Sequence, residues 1–203
     1  MQFWSYRLAT VLDSFKTLYA LPPQKVKDFL NSYVIYDHDW SNEKEMIENL
    51  GPNYEREIQK KLVDYYSVLN HLCSIGQVEK MYIPPAIDLS RGIIANQVLF
   101  EKMLCRDLGI KANDKILDIG CGRGRVACHL AELSGANITG MNIDPNQLES
   151  ARKFADGHNL SNTCKFIERD LNQIPYPFPD GSFDHIYEIQ CIFTISKDLR
   201  KTF

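Results

Sequence analysis

One stretch constrains this chain more than any other. Asp118-Ile-Gly120-Cys-Gly122-Arg-Gly124 follows the short apolar run Lys115–Ile119 and precedes a helical pattern that continues through Ala136. Three glycines at alternate places leave bare backbone, which turns tightly and lets a ligand approach with no Cβ in the way. The helix N-terminus beyond them offers unpaired N–H groups to an acceptor such as a carboxylate. The downstream sequence repeats the same strand-then-helix alternation. Asn137–Ile143 and Cys164–Arg169 read as a second and a third strand, with a helix from Pro145 to about His158 between them. A proline-rich turn over 175–181 follows, and Phe183–Ile189 reads as a fourth strand. Strands alternating with helices predict βαβ units and a parallel sheet, an α/β fold.

Upstream of the α/β half the pattern is helical. Trp4, Leu8, Val11, Leu12, Phe15 and Leu18 fall within about 120° of a helical wheel, and Pro22-Pro23 stops that helix. One reading lays this apolar stripe on the domain core. The other lays it in a membrane interface, although its polar face is not rich in Lys and Arg. Ser41, with Glu43 and Glu45 behind it, reads as a helix start that Gly51-Pro52 closes. Further helices run from Tyr54 to about Cys73 and from about Ser90 to Leu108, the latter ending at Gly109. The expected organisation is a helical lobe over 1–85 and an α/β core over 86–203.

Composition removes several function classes. The 203 residues are 44% hydrophobic and 24% charged, ordinary globular usage. A net charge of −3 gives no electrostatic footprint for nucleic acid. Six cysteines without a C-x-x-C pair match neither a zinc site nor a disulfide framework, so no metal is expected and the thiols read as reduced and intracellular. No apolar run approaches the ~18 residues that span a bilayer. Arg7, Asp13 and Lys16 interrupt any secretory signal.

A dinucleotide fingerprint would put its third glycine where Arg125 stands. The pattern D-x-G-x-G-x-G instead resembles motif I of the class I S-adenosylmethionine-dependent methyltransferases. The resemblance implies S-adenosyl-L-methionine as cofactor and an incomplete Rossmann-like methyltransferase sheet, strands 3-2-1-4, with an N-terminal helical lobe. It implies that Asp118, Gly120, Gly122 and Gly124 hold the methionine end of the cofactor. Asn142, with Gln147 nearby, matches the ribose position, and Asp170 with Leu171 the adenine position. Most of the family has an acid where Asn142 stands. Asp144, two residues on and on the same strand face, is the alternative.

A narrower resemblance covers about residues 60–203. Leu62-Val-Asp-Tyr-Tyr66, the Asn142 strand end, Asn159-Leu160 and Phe183-Asp-His-Ile-Tyr187 together resemble the sterol C24-methyltransferases, with cyclopropane fatty-acid synthases and type 11 methyltransferases sharing part of the pattern. That implies a sterol or other small lipid-like substrate and a helical lobe over the cofactor site. It also implies a tyrosine that touches the cofactor, for which Tyr65, Tyr66 and Tyr82 are the matches. A peripheral membrane contact through residues 1–21 would fit such a substrate, with the chain in the cytoplasm or on the endoplasmic reticulum surface. The sterol enzymes carry Glu and His just after strand four, where this chain reads Gln190-Cys-Ile-Phe-Thr-Ile195. Gln190 cannot act as a base, which leaves Tyr66, His71 and Gln190 as weak catalytic candidates. The family's strands five to seven have no counterpart. The chain therefore reads as a truncated form of marginal stability, with Ser196–Phe203 starting a helix and Ile186, Ile189 and Ile192 on an open edge. A non-catalytic protein on the methyltransferase fold and a nicotinamide oxidoreductase are the competing classes.

Overall fold

The computed structural model describes residues 2–38, 42–75, 79–171, 173 and 175–191. Two compact units divide between Glu79 and Lys80, six residues before the expected boundary at 85. The difference arises because the backbone of Lys80 and Tyr82 is bonded to a helix of the second unit, as described below.

The first unit is helical: α1 (Gln2–Tyr19), α2 (Pro23–Ser32), a 3-10 turn (Tyr33–Tyr36), α3 (Glu43–Leu50) and α4 (Tyr54–Ile75). α1, α2 and α3 all pack on α4. Met46 of α3 is buried with Tyr54, Ile58 and Leu62, which stand at i, i+4 and i+8 along α4, and Leu50 and Tyr66 pack against them. Asn42 heads α3 by accepting the Glu45 N–H at 3.2 Å, so the cap lies one residue beyond the expected Ser41, which is outside the described residues. α1 departs from the core-facing reading. Leu8, Leu12 and Phe15 are 61%, 51% and 53% exposed, while Ser14 is buried with its hydroxyl 3.4 Å from His71 Nδ1 on α4. A small polar residue makes the close approach, and Leu8, Leu12 and Phe15 of the stripe turn outward while Val11 and Leu18 are half-buried. The Trp4 side chain lies outside the described residues. No helix among the described residues is long and apolar enough to cross a membrane.

The second unit holds α5 (Ile93–Asp107), β1 (Lys115–Ile119), α6 (Arg125–Ser134), β2 (Asn137–Asn142), α7 (Pro145–Gly157), β3 (Cys164–Glu168) and β4 (His185–Glu188). The strands form one parallel sheet in the expected order β3-β2-β1-β4. Asp118 stands opposite Gly140 on one side and Tyr187 on the other, and Gly140 stands opposite Phe166. Ile116, Leu130, Ile138, Leu148 and Ala151 are fully buried at the centre of the core between sheet and helices. β2 carries a glycine at its middle for a packing reason. A Cβ on Gly140 would lie 2.7 Å from both Cys121 Sγ and Phe166 Cδ1, so the turn after β1 and a β3 side chain fill the notch. β4 is shorter than the expected Phe183–Ile189 because Gln190 turns left-handed, with φ +55, and the Glu188 carboxylate accepts the Cys191 N–H at 2.9 Å. Ile192 and the expected helix over Ser196–Phe203 fall outside the described residues.

Candidate cofactor site

In a parallel sheet of this kind ligands sit outside the carboxyl ends of the strands, where the strand order reverses. Here the chain runs outward from β1 to β2 to β3 and then returns to β4 beside β1, which puts the reversal between β1 and β4. The glycine turn leaves β1 at that place. Gly120, Gly122 and Gly124 have φ of 69°, 53° and 69°, values that side chains rarely adopt. The three glycines differ in what surrounds them. A Cβ on Gly124 would lie 2.7 Å from Ala151 Cβ and Phe166 Cζ, so that glycine serves packing. A Cβ on Gly122 would meet only Gln147 Oε1, at 3.6 Å, so its face is open. A Cβ on Gly120 would collide with the Cys191 side chain, which lies across that backbone.

Asp118, the last-but-one residue of β1, is 4% exposed, and its Oδ2 has no hydrogen-bond partner. Burial pushes its carboxyl up to about 7. The Tyr187 hydroxyl beside it eases the rise without closing a bond of good geometry, and the Glu188 charge adds to it. A buried carboxyl with an unused oxygen is a receptor for a cation. At the end of β2 Asn142 donates from Nδ2 to Gln147 Oε1 at 2.6 Å, joining the strand to the first turn of α7 opposite Gly122. Asp144, the alternative at the ribose position, keeps a buried Oδ2 without a hydrogen-bond partner. It is buried as the N-cap of α7, its Oδ1 accepting the Asn146 N–H at 2.9 Å. Asp170 follows β3 and is half-buried, and Leu171 is buried with its carbonyl accepting from the Tyr176 hydroxyl at 2.7 Å. Asp118, the glycines, Asn142, Gln147, Asp170 and Leu171 are thus gathered at one edge of the sheet.

Of the remaining candidates, Tyr65, Tyr66 and His71 belong to the helical unit, and Tyr82 and Gln190 to the second. Tyr65 lies in an aromatic cluster of the helical unit, its ring 6.0 Å from Phe29, 5.4 Å from Tyr33 and 5.2 Å from Tyr66. Tyr66 also packs against that unit's core, and His71 faces Ser14. Tyr82 is buried in the second unit and donates its hydroxyl to Glu101 Oε1 at 2.5 Å and to the Gln97 carbonyl at 3.1 Å. Burial and the Glu101 carboxylate push that phenol far above its usual range. Gln190 is no base either: both atoms of its amide are bonded to the backbone of Ile83.

Sequence reasoning missed a buried polar cluster around Glu101, which is 0% exposed and bonded by Lys80, His129 and the Tyr82 hydroxyl. Burial alone would raise the Glu101 carboxyl, but those three donors hold it below its usual value. The only signal in the sequence was a carboxylate on a helix face otherwise turned to the core.

Residues 116–203 match the methyltransferase domain family. The chain is 39% identical over 90 residues to sterol 24-C-methyltransferase of Pneumocystis carinii, a match covering 44% of this chain and 23% of that protein. It is 38% identical over 120 residues to a sterol 24-C-methyltransferase of Gibberella zeae, covering 59% and 28%. It therefore spans about a quarter of the length of these sterol relatives. The crystal structure of the [4+2]-cyclase SpnF superposes with a TM-score of 0.62 at 20% identity, over 68% of this chain and 52% of that one, a likeness of fold. By its motif, its sheet order and these matches, the α/β part of the chain is similar to the class I S-adenosylmethionine-dependent methyltransferases, the sterol 24-C-methyltransferases among them.

Proposed function

We propose that the chain acts as an S-adenosylmethionine-dependent methyltransferase on a sterol or other small lipid-like molecule. The observation that carries the cofactor part is the buried, half-unpartnered carboxyl of Asp118 beside the open backbone of Gly122. The cofactor's amino-acid end brings an ammonium that satisfies this carboxyl, and its sulfonium is the electrophile from which a nucleophile takes a methyl group. Asn142 and Gln147 form an amide pair at the right strand end for ribose hydroxyls. An uncharged amide bonds them without the charge assistance that typically adds ~1 kcal/mol. Asp170 offers an acceptor to the adenine amine. The substrate class is supported by the similarity to the two sterol methyltransferases.

Titration calorimetry with S-adenosylhomocysteine tests the cofactor reading: binding that weakens in Asp118→Ala and Gly122→Val is expected, and equal binding by both variants would retire it. Transfer of labelled methyl from the cofactor to a sterol fraction, and not to other small molecules, tests the substrate class.

A further inference from the structure

Residues 80–83 carry more anchoring than a connecting segment needs. The Gln97 side chain donates to the carbonyls of Lys80 and Tyr82 at 3.1 and 2.9 Å. The Tyr82 hydroxyl and the Lys80 ammonium reach Glu101 one turn further along α5. Ile83 then meets a second glutamine. Its N–H donates to Gln190 Oε1 at 3.1 Å, and its carbonyl accepts from Gln190 Nε2 at 2.8 Å. Two glutamine side chains thus stand where neighbouring strands would pair a strand, and Pro84-Pro85 stiffens the exit. Gln190 makes its two bonds from a left-handed backbone that a side chain rarely adopts. A strained conformation of this kind persists only where its surroundings hold it, here Ile83 on one side and the Glu188 cap on the Cys191 N–H on the other. The consequence falls on the next residue: Cys191 is laid across the bare backbone of Gly120, at the reversal between β1 and β4 where Asp118 keeps its unpartnered oxygen.

We propose that Gln190 is a positioning residue: by tying the segment 80–83 to the end of β4, it fixes Cys191 and the crevice wall against which the amino-acid end of the cofactor lies. The inference rests on the cofactor reading above and adds to it a residue with no base chemistry of its own. Gln190 acts through the shape of the wall, so its removal affects the amino-acid end of the ligand and leaves the nucleoside end untouched.

Titration of the full chain with two probes tests this. S-adenosylhomocysteine carries the amino-acid end, and methylthioadenosine lacks it. Gln190→Gly removes the two bonds and also relieves the left-handed backbone, so folding is not at stake. The expected result is binding of S-adenosylhomocysteine weakened at least tenfold, binding of methylthioadenosine changed less than twofold, and faster hydrogen exchange at the Ile83 amide. Gln190→Glu keeps the bond from the Ile83 N–H and loses the one to its carbonyl, so it should fall between. Unchanged binding of S-adenosylhomocysteine by Gln190→Gly, or equal weakening of both probes, would overturn the proposal. Failure of the unaltered chain to bind either probe would instead overturn the cofactor reading, and the positioning role with it.

Discussion

Asp118 sets a conflict between holding a ligand and holding the fold. Its carboxyl is raised from 3.8 to about 7 in the free protein, so the stability it contributes is fully present below about pH 4 and lost as pH rises through 7. Asp118→Asn should then stabilise the unliganded chain at pH 8, by at most ~4 kcal/mol, and leave it little changed at pH 4. Urea denaturation at the two pH values measures this, and an Asn variant that is no more stable at pH 8 contradicts it. The same titration reaches the ligand. If the ammonium requires the ionised carboxyl, affinity for S-adenosylhomocysteine should be about tenfold weaker at pH 6 than at pH 8, and the Asn variant should show neither the affinity nor the slope. Glycines separate the two demands. Gly122→Ala makes only an ordinary contact with Gln147 and should cost the ~1 kcal/mol of its backbone angle while weakening the ligand. Gly124→Ala adds a collision with Ala151 and Phe166, so its melting temperature should fall further.

At the level of elements, α5 packs Leu104 and Cys105 on the core and organises the segment before it through polar groups. Glu101 gathers donors from the segment before α5 and from α6, so Glu101→Ala should cost ~3–5 kcal/mol by leaving Lys80 and His129 without their partner. The pH sign here is opposite to that of Asp118. A carboxyl held below its usual 4.5 contributes stability above that value and loses it as pH falls through the lower folded one, so the wild type should approach the variant in acid. In the helical unit Asn42→Ala should cost ~1 kcal/mol in chemical denaturation, the worth of a typical cap. These elements show what the sequence made legible. The strands followed from apolar runs alternating with helical patterns, which are local, whereas the sheet order and the placing of Asp118, Asn142 and Asp170 came from the resemblance of the glycine turn to the methyltransferase motif. The Asn42 cap was displaced by one residue because Ser41 and Asn42 offer the same chemistry. The bonding of Gln97 and Gln190 to one segment was invisible, since it joins residues 15 and 107 positions from their partners. Asp144, the alternative to Asn142 at the strand end, also caps α7 with one oxygen, a role that spacing alone does not show.

At the scale of the molecule, two buried clusters in two units imply two cooperative transitions. Calorimetry should resolve them, with Met46→Ala lowering one and Leu130→Ala the other by 2–5 kcal/mol each. One transition moved equally by both variants would sink this expectation. Residues 1–21 are proposed to meet a lipid surface through the outward Leu8, Leu12 and Phe15, and vesicle co-sedimentation with Leu12→Glu as the control decides it. The notch at Gly140 has a wider reach than its place inside β2 suggests. Any side chain there must displace Cys121, and Cys121 is part of the turn that carries the open glycines. A survey of random substitutions would record a lesion at this buried position as lost affinity in a folded protein. It would thereby misfile a sheet residue among those that touch the ligand, and shape handed from one strand to the next would pass for direct recognition.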